Sequence, residues 1–121
     1  MKKIKLKNKD IGLSATTMAL LFYDQEFDRD LIADLSKFQQ ENMQKLMKGD
    51  FSSYNSMTLL KIGWAMNKAA NYPGKFKTFE EWLNDFEGQD ATNPKFIQGI
   101  VEEATDGFFR SRKSGGKPES E

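Results

Sequence analysis

Ile4 and Leu6 alternate with Lys3, Lys5 and Lys7, the period-two pattern of a strand buried on one face. Asn8-Lys9-Asp10 has turn chemistry, and Ile11, Leu13 and Ala15 alternate again, so the chain opens with a predicted short β-hairpin. Two strands alone are marginal in water, and this pair needs a helix or another subunit to cover its apolar face. An edge left open would let a second copy extend the sheet. The period then lengthens. Ser14, Thr16 or Thr17 is positioned to cap a first helix running to about Phe27, with Met18, Leu21 and Phe22 expected on its inner face. Asp28 is the expected cap of a second helix. Its apolar stripe is Leu31, Leu35, Phe38, Met43, Leu46 and Met47, and Lys37, Gln39, Gln40, Glu41, Gln44 and Lys45 face solvent. Gly49 closes it, in the position where a left-handed backbone is wanted.

From about Ser53 to Ala70 the apolar residues point nearly all round: Met57, Leu59, Leu60, Ile62, Trp64, Ala65, Met66, Ala69 and Ala70. A helix of that kind is central to a core. Tyr72-Pro73-Gly74 stops it. Thr78 and Glu81 then have the spacing of a reciprocal capping box, and Phe79, Trp82, Leu83 and Phe86 fall on one side of a helix expected to end near Gly88. Asn93-Pro94 starts the last helix, whose stripe is Phe96, Ile97, Ile100, Val101, Ala104 and Phe108. The expected fold is α+β, mainly α, an N-terminal hairpin followed by about five helices. The expected organisation is one domain over residues 1–110 and a flexible tail over 111–121.

Composition agrees with one core. The 121 residues are 38% apolar and 30% charged, with ten Phe and six Met, enough for a core without staples. Net charge is zero but unevenly spread. Five lysines carry all the charge of residues 1–9, and Arg110, Arg112, Lys113 and Lys117 face only Glu119 and Glu121, which leaves nine cations against sixteen anions between. An acidic body with basic ends steers self-association or a partner. Without Cys there is neither a disulfide framework nor a thiol nucleophile. No apolar run has the length of a signal peptide or a membrane span, so a soluble, intracellular protein is expected.

The residues offer little chemistry. His is absent, which removes the commonest general base and transition-metal ligand. Asp24, Glu26, Asp28, Asp30 and Asp34 cluster where one helix ends and the next begins, and capping explains them better than a catalytic carboxylate pair. The segment from Asp85 to Asp90 lacks the spacing of a calcium loop, and Gly115-Gly116-Lys117 lacks that of a P-loop. Neutral net charge and an acidic body argue against nucleic acid. No enzyme activity, cofactor or metal is expected. The aromatics available for protein binding are Tyr54, Tyr72, Phe76, Phe108 and Phe109, with Trp82 added if it lies at an interface.

The serial order is a basic strand Lys3-Ile4-Lys5-Leu6, a turn, a strand and helices, with a break at Lys48-Gly49-Asp50. An apolar helix from Leu59 to Met66 follows, then the Thr78-Phe79-Glu80-Glu81-Trp82-Leu83 helix and a closing Ile100-Val101-Glu102-Glu103-Ala104 helix that ends Phe108-Phe109-Arg110. This order resembles the tail assembly chaperones of long-tailed phages and prophages of Gram-positive hosts, over essentially the whole chain. The resemblance implies a non-enzymatic protein of the host cytoplasm, absent from the mature virion. It implies binding to the tape measure protein and preventing aggregation of that partner's apolar helices, while homo-oligomers are expected from the open strand edge and the uneven charge, not from the resemblance. In that family a programmed ribosomal frameshift often yields a longer form that recruits tail tube protein, so this chain would be the short form. Gly115-Gly116-Lys117 is where a G-rich then A-rich slippery run would fall. The alternative reading is a small cytoplasmic regulatory or adaptor protein that touches nucleic acid weakly through its basic ends.

Overall fold

The computed structural model describes residues 2–6, 10–50, 54–86 and 88–110. Strand β1 (Lys2–Lys5) pairs antiparallel with β2 (Asp10–Leu13), with Ile4 opposite Ile11 and Lys5 opposite Asp10. Ile4, Leu6, Ile11 and Leu13 are buried, as the alternation predicts. The helices are α1 (Thr17–Phe27), α2 (Leu31–Met47), α3 (Ser56–Ala70), α4 (Phe79–Asn84), a single turn α5 (Gly88–Ala91) and α6 (Pro94–Thr105), which continues into a π-helical segment, Asp106–Arg110. The expected fold class, mainly helical with an N-terminal hairpin, is the one observed. Of the expected turn, Asp10 is instead the first residue of β2, while Asn8 and Lys9, the expected start of the third helix at Ser53 and the expected tail beyond Arg110 lie outside the described residues.

Helix α3 is the hub, packing against α1, α2, α4, α6 and β2. Leu59, Ile62, Trp64, Ala65 and Met66 on it are fully buried, which follows from its apolar positions lying nearly all round. Met57, in its first turn, is the exception and stands exposed. Helix α3 lies against β2, and α6 against β1. That second approach is close: a Cβ at Gly99 would collide with the Ile4 side chain.

The local stop and start signals act as their chemistry requires. Thr78 and Glu81 form both halves of the capping box, and the Asn93 side chain accepts the Lys95 N–H with Pro94 in the first turn. Gly49 takes φ +81°, the left-handed backbone open to glycine. Five expectations need correction. Asp28 ends α1 instead of opening α2: it sits at φ 54° and donates its N–H to Asp24. Asp30 caps α2, accepting the Ile32 N–H at 3.0 Å. Thr16 is the residue at the start of α1, but its side chain makes no capping bond. Leu21 points outward at 43% exposure, because the buried side of α1 is Ala19, Phe22 and Tyr23. Helix α4 ends at Asn84, short of Gly88, and Gln39 is half-buried and bonds Thr105 across to α6.

Candidate functional site

Aromatic residues from four parts of the chain converge on the face where α4 meets α3. Phe27 at the end of α1 stands edge-on to Trp64 at 5.5 Å and to Phe79 at 5.0 Å. Trp82 lies beside Phe79, meets Phe86 edge-on at 4.7 Å, and Phe86 stacks on Phe96 of α6 at 5.4 Å. Each such contact adds a modest geometric preference to a large burial of apolar surface. The polar ends of the two indoles are satisfied. Trp64 donates to the Lys77 carbonyl at 3.0 Å, and Trp82 donates to the Asn67 side-chain oxygen at 2.9 Å.

Asn67 is the junction. Its amide nitrogen donates to the Gly12 carbonyl at 2.7 Å, so one buried side chain ties α3 to both β2 and α4. Beside it opens a cleft of about 220 Å³, floored by Ile11 and Trp82 and walled by Phe76. Lys75, Lys77 and Asp85 form its rim, with Lys77 and Asp85 joined as an ion pair. Small-molecule sites commonly span about 300–1,000 Å³, so this cleft suits an inserted apolar side chain better than a whole cofactor. Along the outer side of α4 a shallower depression of about 460 Å³ carries Glu80, Glu81 and Leu83. Glu26 reaches the same region from α1, its carboxylate accepting the Phe79 N–H at 2.9 Å.

A second cleft, also about 220 Å³, lies between α2 and α3 and is lined by charges of both signs, among them Arg29, Lys37, Lys61, Asp34 and Glu41. Asp34 is buried there and bound on both oxygens. Arg29 donates to each at 2.7 Å, and the Tyr23 hydroxyl donates to Oδ2 at 2.7 Å. The Arg29 hydrogen bonds hold the Asp34 carboxyl below the usual carboxylate range, against the opposing effect of burial and with help from Tyr23. Burial, and then the Asp34 bond, push the Tyr23 phenol up.

The six aromatic candidates do not form one surface. Phe76 and Trp82 share the cleft beside Asn67. Tyr72 is 55% exposed in the same loop, its ring 5.6 Å from that of Phe22. Tyr54 is half-buried just before α3, its phenol raised by burial. Phe108 is buried and Phe109 half-buried in the π-helical segment. Trp82 and Phe108 are therefore core residues, contrary to an exposed binding role: Trp82 retains only 4% exposure because Asn67 supplies the partner its indole N–H needs. Sequence reasoning passed over Asn67, which carries no signal beyond being polar on an apolar helix. It placed Leu21 on the inner face of α1, where the structure turns it outward.

Among the described residues no group of three His, Cys, Asp or Glu is placed to hold a metal ion, and no helix is long and apolar enough to cross a membrane. No family model, curated protein or solved structure matches this chain.

Proposed function

We propose that this chain is a tail assembly chaperone that binds the tape measure protein and keeps it from aggregating during tail assembly, without turnover. What carries the reading is the order of elements: a basic hairpin, a central apolar helix, and a Thr78-capped aromatic helix docked on it. The cleft beside that helix supports it, since an apolar floor under a charged rim can reversibly take an apolar side chain presented by an amphipathic helix. Exposed Leu21, Met57 and Tyr72 add apolar contact area outside the cleft. The tail tube protein would engage only a frameshifted longer form, and the slip would fall at residues 115–117, outside the described residues.

Co-expression tests the reading. The tape measure protein should gain soluble yield and co-purify with this chain; unchanged yield without co-purification overturns it. Phe76→Ala should weaken co-purification while leaving the fold intact, because Phe76 is a half-buried wall of the cleft.

A further inference from the structure

The two strands of the hairpin have unlike surroundings. β2 is tied to α3: the Gly12 carbonyl accepts the Asn67 amide at 2.7 Å, and Ser14, just past the strand, donates its N–H to the Met66 carbonyl at 3.0 Å. β1 has no such ties. Among the described residues its backbone hydrogen-bonds only to β2, and it meets α6 through side chains, Ile4 against Gly99 and Lys2 with Glu102 at 2.9 Å. In an antiparallel pair alternate residues aim their N–H and C=O groups away from the partner strand, so among the described residues the outer edge of β1 presents unmet donors and acceptors.

The charges on that edge select what can pair with it. Lys3 and Lys5 stand exposed on the solvent face. Lys5 has Asp10 across the ladder, whereas Lys3 faces Gly12, which offers no carboxylate. Two copies of β1 laid edge to edge would set lysines against lysines, which disfavours pairing of this edge with itself. A strand with carboxylates at every second position would instead complete the hydrogen-bond ladder and neutralise both ammonium groups. We propose that the outer edge of β1 receives an extended acidic segment of a partner protein, added as a third strand with its carboxylates beside Lys3 and Lys5. This goes beyond the chaperone reading and does not depend on it.

The test uses the full chain, a nine-residue peptide alternating Glu and Val, and its counterpart with Lys in place of Glu. The Glu peptide should shift and slow the exchange of β1 backbone amides, more weakly as salt rises, while the Lys peptide leaves them unchanged. The double variant Lys3→Glu/Lys5→Glu should bind the Glu peptide about tenfold less tightly and gain affinity for the Lys peptide, because two cross-strand pairs change sign. Circular dichroism checks that the variant folds, and Lys3→Gln/Lys5→Gln, which should lose the salt dependence, serves if it does not. The proposal is overturned if neither peptide binds, if both bind alike, if affinity ignores the substitutions, or if the perturbed amides surround Lys75 and Lys77 instead of β1.

Discussion

Asn67 and Asp34 are both buried polar side chains that join helices, and they do it with opposite electrostatics. Asn67 links α3 to α4 and β2 through a neutral amide, giving one hydrogen bond and accepting another inside an aromatic cluster. Asp34 links α2 to α1 and to the loop between them through a carboxylate shared by Arg29 and Tyr23, at the wall of a polar cleft. The neutral junction sits among aromatic rings, where a charge would be expensive to bury. The charged one sits where Arg29 reaches water and keeps the pair partly hydrated. The two joints should therefore answer differently to acid, though both are buried.

The largest effect should come from a residue that lies between them. Trp64 packs on Phe27 from the α1 side and on Phe79 from the α4 side, and it is fully buried. Trp64→Ala should lower stability by about 3–5 kcal/mol in urea denaturation, through lost transfer energy and the cavity left behind. An unchanged midpoint would mean that α3 is not the hub.

Asn67→Ala comes next. It strands the Trp82 N–H and the Gly12 carbonyl in a buried setting, and should cost about 2–4 kcal/mol. This loss should stay constant between pH 6 and about pH 3, within the range of carboxylate titration, since neither partner ionises there.

Asp34→Asn should cost about 1–3 kcal/mol at neutral pH, the scale of hydrogen bonds to a charged group. Here the loss should depend on pH. The folded Asp34 carboxyl lies below its ordinary value, so the unfolded chain binds its proton first as pH falls. The stability it contributes is full above about pH 4, the usual aspartate range, and disappears as pH drops through the folded pKa. The difference between wild type and variant should therefore shrink on acidification. Equal pH profiles for the Asn67 and Asp34 variants would erase the contrast.

The smallest effect concerns a local cap. Thr78→Ala removes the side-chain acceptor for the Glu81 N–H and should cost about 1 kcal/mol. Because Glu26 also holds the Phe79 N–H, α4 should persist in the variant, and its helical signal by circular dichroism should change little.

The sequence by itself determined the features whose physics is local. Thr78 with Glu81, Asn93 before Pro94, and Gly49 after α2 each satisfy or release backbone groups within a few residues, so their spacing alone marks the helix ends. The alternation of Ile4, Leu6, Ile11 and Leu13 likewise told the covered face of the hairpin from the wet one. Tertiary structure decided the rest. Residues 18–23 are apolar without a break, so periodicity could not say that Tyr23 is buried and Leu21 exposed until α2 and α3 had taken their sides of α1. Asp28 and Asp30 are both acidic and two apart, and only the backbone path made one end α1 and the other cap α2. The fate of Trp82 turned on an amide fifteen residues earlier in the chain. An indole can sit in a core or at an interface, and which it does depends on whether a distant donor or acceptor arrives to meet its N–H, a contact that no local pattern encodes.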